Sequence, residues 1–505
     1  LLINKLQKLK LDHTLISFLP ILVFLPITYQ IINDFHIGGL ELFLDFVKAA
    51  FTPKINNQII NISITRLNET LFIAFTSWLI SIIFGCFLGI LSSDIFYKLI
   101  RIPVFIKYLL RFILNIIRSI HELVWCLILM QIFGINISIG ILAICLPFIA
   151  INAKVISEQL ELVSADLIES ITTLNGNNFS SLITLIWSPI IKTIKNFGFY
   201  RLECSIRSTA ILGLFGIGGI GTSIFLSFQA LNFNEMWTYI FSISSLILFF
   251  KLILKQVKIK RINSNFILLI ICISILIIFY SIYFLINLLI NNYYLSNLLL
   301  SKNIFLNFIN LPDNYLKSIF DTITLSVLSS GIAISVPPFL LLISQNKYFI
   351  ITLRFFAFFI RIIPPTIIIL ILLMFNEPSL SLAAITLGFY NAGITFKLLN
   401  DNLSEIDRNN YLAFKSIGLS NRSSWLIGLF IKQSKSYLSY CAYRSDIIFR
   451  ETAIVSIVGS IGLGWQLKES LSSFAWNEVF IIIFSYSSIA IIGELLNDKI
   501  KSKLI

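Results

Sequence analysis

Three charges stand close together at Arg201, Glu203 and Arg207, in the stretch YRLECSIRSTAILGLFGIGGIG that runs from Tyr200 to Gly221. An apolar run follows the charges, and glycines close it. The same plan returns as YRSDIIFRETAIVSIVGSIGLG from Tyr443 to Gly464. Arg201, Glu203, Arg207, Gly216, Gly219 and Gly221 meet Arg444, Asp446, Arg450, Gly459, Gly462 and Gly464 at a constant offset of 243. Glu203 and Arg207 are spaced i,i+4, as are Asp446 and Arg450, so each pair can share one helix face. Two readings stay open. The pairs anchor the end of a membrane span as intrahelical ion pairs, or Arg207 and Arg450 form a basic collar around an anion path, because an arginine fork binds oxyanions. An unpaired buried arginine costs roughly 3 kcal/mol or more in a membrane, so these residues face partners or water.

Other chemistries find no support. Gly216, Gly218 and Gly221 fit GxGxxG formally, but a dinucleotide site needs a preceding strand, a βαβ unit and an acid further on. The second copy carries Ile461 at the middle position. Glycines in an apolar run instead allow close helix approach or a helix break. No GxxxxGK[ST] occurs, so any ATP is hydrolysed by a partner. The histidines at 13, 36 and 121 have no partners at ligand spacing. The cysteines at 86, 126, 145, 204, 272 and 441 lack CxxC spacing and read as small core residues. No metal site is expected.

The elements that must position these charges are membrane spans. The chain is 57% hydrophobic and 12% charged, against roughly 25% charge in soluble domains. The alternation of an outer-membrane barrel is absent. The net charge of +13 sits in short basic clusters between apolar runs, where the positive-inside rule places them, which argues against nucleic-acid binding. Apolar runs predict about twelve spans, near 15–33, 70–93, 112–133, 137–153, 206–230 and 236–254, then 266–290, 318–343, 355–375, 379–397, 447–468 and 477–496. A polar region of short elements falls near 34–67, and a tight turn near Gly134 separates two spans. Lys5, Lys8 and Lys10 place the N-terminus in the cytoplasm, and Lys499, Lys501 and Lys503 the C-terminus. No removable signal peptide is evident. The expected fold is an all-α integral membrane protein of two parallel repeats with about six transmembrane helices each, residues 1–261 and 262–505.

Each half carries a long polar stretch before its charged motif. In the first half it contains Glu158, Glu161, Glu169, Gly176 and Pro189. Gly176 breaks the chain between two short helices, a form suited to a groove on a cytoplasmic partner. A solvated loop is the alternative. The stretch resembles the EAA loop of ATP-binding-cassette (ABC) importer permeases: Gly176 and Pro189 keep the family spacing, and Glu169–Ser170 resembles its Glu-Ala, one residue early. In the second half Ala413 and Gly418 match, while Leu412 replaces the acid and Ile431 the proline. Arg118 and Glu122, the arginine-rich motif and the glycine cluster follow the pattern of the phosphonate-type branch, with His121 where proline is usual. Arg361 aligns with Arg118, and Pro364–Pro365 with His121–Glu122.

The resemblance implies a type I (MetI-like) permease fold and a tandem fusion of two permease domains. It implies a transmembrane pathway in the bacterial inner membrane for phosphonate, phosphite or phosphate. The loops would couple the chain to two copies of an ABC ATPase subunit that binds ATP–Mg, and an extracytoplasmic binding protein would deliver substrate. The chain itself would carry no cofactor and do no covalent chemistry. A permease for methionine, nitrate or polyamine, or a secondary transporter or channel, are the competing readings.

Overall fold

A computed structural model describes residues 13–36, 38–100, 103–162, 170, 185, 190–191, 193–259, 311–343 and 346–504. The span expected near 266–290 and the loop residues Glu169, Gly176 and Pro189 lie outside them. Among the described residues every regular element is a helix, and Phe35 and Asn376 form one isolated β-bridge. By packing, the chain divides into two compact units, Asp45–Asn307, and Leu1–Leu44 with Phe308–Ile505.

The stretch expected as the first domain opens with the apolar helix α1 (His13–Asn33) and α2 (Gly38–Ala49). Then come α3 (Asn57–Leu91), α4 (Asp94–Ile100), α5 (Val104–Ser119), α6 (Glu122–Phe133) and α7 (Ile137–Glu161). It ends with α8 (Phe199–Gly213), α9 (Ile220–Gln229) and α10 (Phe233–Ile259). The second copy holds α11 (Tyr315–Ile343), α12 (Lys347–Ile362), α13 (Pro365–Leu372), α14 (Leu380–Glu405), α15 (Asn409–Ser416), α16 (Asn421–Trp425), α17 (Ile431–Gly459), α18 (Gly462–Ser472) and α19 (Trp476–Leu504). Among the described residues, seven helices are long and apolar enough to span a membrane, and up to ten spans result if each of three bent pairs is one. Of the expected twelve, the remaining two are 266–290 and the run holding α9.

Two of the expected spans bend most sharply. The run near 112–133 begins earlier, at Val104, and bends by 88° between α5 and α6. Its counterpart near 355–375 bends by 95° between α12 and α13. The joint needs extended backbone. His121 (φ −68°, ψ 148°) caps α6 by accepting at Nδ1 from the Leu123 amide at 3.2 Å. Pro364 (φ −57°, ψ 145°) reaches the same conformation through its ring, and Pro365 begins α13 where no amide donor is required. The stretch near 34–67 also differs from its expected form. The second span is a 35-residue helix starting at Asn57, about 52 Å long at 1.5 Å per residue, well beyond the hydrocarbon core. Its extension is held by Ser63 donating to Ser242 at 2.8 Å, near the Lys54–Glu235 ion pair at 2.7 Å.

The core of each copy is one crossed helix pair, α3 with α7 and α11 with α14. Asn136 caps α7 and Ser379 caps α14, again at the offset of 243. At the first crossing Asn152 donates to Ser81 at 3.3 Å, and at the second Thr395 donates to the Ala333 carbonyl at 2.8 Å. Helix α1 packs in the same unit as the second copy: Ile27 is buried with Leu325, Ile332 and Leu387, and Ser381 bonds Gln30. The repeat boundary and the packing boundary thus differ for the first 44 residues. The protein is inside-out in the membrane sense. Serine and threonine (Ser77, Ser81, Ser205, Ser329, Thr386) are buried, while Phe105, Phe112, Phe249, Phe320, Phe355 and Phe484 face outward.

Candidate functional site at the helix breaks

The glycine clusters are helix breaks held by hydrogen bonds. Between α8 and α9, Gly219 has φ +79° and ψ −174°, a conformation only glycine adopts at low cost. Its amide donates to Glu69 Oε2, and the next amide, Ile220, donates to Thr70 Oγ1, both at 2.9 Å. Glu69 also accepts from Arg66 at 2.9 Å. Between α17 and α18, Gly462 has φ +66°, and the Leu463 amide donates to Thr322 Oγ1 at 3.0 Å. A Cβ would meet the threonine hydroxyl at 2.7 Å on Gly219 and 2.6 Å on Gly462. Gly221 and Gly464 let the new helix turn back against the carbonyls of Ala210 and Ala453. Gly216 (φ +94°) lies in open space, and Gly459 faces only the flexible end of Ile369. Both joints satisfy amides that water cannot reach in a bilayer.

The charges sit about two to four turns before the ends of α8 and α17. Arg207 pairs with Glu203, and Arg450 with Asp446, along one helix face in each copy. The other arginine of each motif is the more buried. Arg444, 5% exposed, donates from Nε to Asn391 Oδ1 at 2.6 Å and from Nη2 to Glu451 Oε1 at 3.1 Å. Asn391 closes the ring by donating to Glu451 Oε2 at 2.8 Å. Arg201, 8% exposed, stacks its guanidinium on the ring of Phe148 at 3.6 Å. Its Nε and Nη2 have no hydrogen-bond partner. A carboxylate is near: Glu122, at the start of α6, accepts from Ser208 at 2.6 Å, lies 3.4 Å from His121 Nε2 and is within electrostatic range of Arg201.

The expected coupling residues fall as follows. Glu158 pairs with Lys154 at 3.6 Å and stays exposed. Glu161 pairs with Arg111, which also donates twice to the Ser92 carbonyl, at 2.9 and 2.7 Å. The end of α7 is thereby tied to the middle of α5 and the end of α3. In the second copy, Ala413 lies on α15, and Gly418 (φ +94°) makes the turn into α16, which Ser420 caps through the Ser423 amide. Leu412 and Ile417 are exposed beside that turn. Trp425 of α16 is buried and stacks on Phe430 with centroids 5.3 Å apart.

Sequence reasoning missed Glu69, Thr70, Thr322, Phe148, Asn391 and Glu451. For the last three a signal existed: Asn391 stands at the offset of 243 from Phe148, and Glu451 from Ser208.

No protein-family model matches the chain. It is 22% identical over 423 residues to the phosphate-import permease protein PhnE of Mycolicibacterium smegmatis, across 78% of this chain and 77% of that one. An alignment of that length exceeds either copy of the repeat. The chain is an ABC importer permease of the phosphonate type. The permease is also 25% identical over 126 residues to the phosphite transport system permease protein PtxC of Stutzerimonas stutzeri, covering 25% of this chain and 46% of that one. To the ABC transport system permease protein p69 of Mycoplasma genitalium it is 25% identical over 195 residues, covering 38% and 34%. Like these relatives the permease is a membrane subunit and not an enzyme; the ATPase is a separate subunit.

Proposed function

We propose that this permease forms the pathway of an ATP-driven importer for phosphonate or a related phosphorus oxyanion, phosphite or phosphate. Residues 1–261 and 262–505 act as two fused permease domains whose gating charges are Arg201, Glu203 and Arg207 with Arg444, Asp446 and Arg450. The observation that carries the reading is the buried Arg201, whose Nε and Nη2 have no hydrogen-bond partner, on the helix that leads into a hydrogen-bonded break. A buried guanidinium with unmet donors costs too much to serve as mere anchorage and suits an oxyanion path. Relatives named for phosphate and phosphite transport support the substrate class.

Coupling runs through the polar stretches. The exposed α15–Gly418–α16 turn is a two-helix element of the size that fits a groove on an ATPase subunit. Its counterpart holds Glu158, Glu161, Glu169, Gly176 and Pro189. Two ATPase subunits carrying ATP–Mg bind these elements, and an extracytoplasmic binding protein delivers substrate to the opposite face. The chain sits in a bacterial inner membrane with both termini cytoplasmic.

The test is reconstitution in proteoliposomes with an ABC ATPase subunit and a phosphonate-type binding protein. ATP-dependent uptake of methylphosphonate, phosphite or inorganic phosphate is expected. Uptake that persists with no ATPase subunit present would sink the reading.

A further inference from the structure

The two copies hold their buried arginines differently. In arginine, Nε–H and the adjacent Nη2–H point the same way and form one two-toothed edge. In the second copy that edge is filled from within the protein, Nε by Asn391 and Nη2 by Glu451. In the first copy both positions have changed, Asn391 to Phe148 and Glu451 to Ser208. Phe148 supports the flat face of the Arg201 guanidinium and cannot accept a hydrogen bond. Ser208 gives its hydroxyl hydrogen to Glu122. The two donors left without partners are Nε and Nη2 of Arg201, the same edge.

We infer that this open edge of Arg201 is an oxyanion subsite, present in the first copy of the repeat and sealed in the second. It binds two oxygens of a phosphorus oxyanion side by side. The inference rests on the transport reading above and adds that the pathway is asymmetric: substrate is gripped by one copy. Leaving two buried guanidinium donors unmet costs more than leaving neutral ones unmet, so an acceptor is called for. Glu122 offsets the cation nearby, while Ser208 and His121 engage its carboxylate. The site therefore holds its ligand by directed hydrogen bonds rather than by surplus charge, which allows release as well as capture.

The test transplants the second copy's acceptors into the first. The variant Phe148→Asn with Ser208→Glu and Glu122→Gln keeps one carboxylate and closes the Arg201 edge. A second variant, Arg201→Lys, keeps the charge and removes the two-toothed geometry. Equilibrium binding of inorganic phosphate, phosphite, methylphosphonate, sulfate and nitrate is measured on the complete complex in nanodiscs. Both variants are expected to bind at least tenfold more weakly than the unaltered protein, with assembly onto the ATPase retained. Unchanged affinity in Arg201→Lys, or in a folded transplant, overturns the subsite, and so does an unaltered protein that binds none of the five anions. If the unaltered protein binds sulfate or nitrate but no phosphorus anion, and the variants lose that binding, the subsite stands and the substrate class proposed above falls.

Discussion

Alanine at Gly219 tests whether the helix break is a fixed joint. The backbone there (φ +79°, ψ −174°) lies in a region that side chains enter at about 1–3 kcal/mol. The new Cβ would stand 2.7 Å from Thr70 Oγ1, so α9 must move away from α3. That movement stretches the bonds from Gly219 to Glu69 and from Ile220 to Thr70. Each buried donor left unmet costs about 1–3 kcal/mol. With one of the two bonds lost, the substitution should destabilise the permease by about 2–6 kcal/mol. Two other glycines calibrate the scale. Gly216 shares the positive φ but has open space, so Gly216→Ala should cost only the backbone part, about 1–3 kcal/mol. Gly493 lies inside α19 with nothing near it, and Gly493→Ala should be neutral or gain about 0.5–1 kcal/mol. The assay is equilibrium unfolding by SDS titration in mixed micelles, read by tryptophan fluorescence. The expected order of cost is Gly219, Gly216, Gly493. Equal midpoints for Gly219→Ala and Gly216→Ala would refute the idea that the threonine contact fixes the joint.

Three further outcomes follow from the same geometry. Arg444→Met leaves Glu451 and Asn391 buried without their cation and should cost about 3–5 kcal/mol in the same titration, with much of it regained on adding Glu451→Gln; no regain would mean that the three residues are not one closed unit. Gly418→Pro cannot hold φ +94°, so ATP hydrolysis should continue while uptake fails, whereas unchanged coupling would count against α15–α16 as the ATPase contact. Arg207→Ala combined with Arg450→Ala should abolish uptake while leaving assembly with the ATPase intact, and normal uptake in that pair would remove both arginines from the pathway.

Most of the spans were legible in the sequence because lipid imposes long apolar runs, and one offset of 243 aligns the charged motifs and the glycine clusters. The bends were half legible. Pro364–Pro365 marks one, but His121 reaches the same backbone by capping a helix, which no composition rule reveals. The threonine joints stayed hidden for a specific reason. Thr70 and Thr322 are related by an offset of 252, not 243, so the single-offset comparison that found the glycines passed over what the glycines touch. Arg444 posed the opposite problem. Its acid, Glu451, lies two turns along the same helix, but Asn391 comes from α14, and spacing within one helix says nothing about a neighbour. The placement of α1 beside α11 and α14 is a long-range packing choice, and local pattern carries no trace of it.

What the copies share and where they part follows from what a bilayer forbids. Backbone amides at a helix break must be satisfied by protein, and glycine with a threonine hydroxyl does this in both copies. A buried arginine needs a counter-charge, yet any helix within reach can supply it. The first copy places its carboxylate on α6 as Glu122 and puts Ser208 on α8. The second puts Pro365 at the start of α13 and moves the carboxylate to α17 as Glu451. One acid per arginine is kept while its address changes. That freedom has a consequence for chemistry. From α17 the carboxylate occupies the guanidinium edge, and from α6 it balances the charge and leaves the edge open. Moving one acid to another helix and replacing the Asn391 position by Phe148 therefore turn a structural ion pair into a binding group, with no change to the arginine itself.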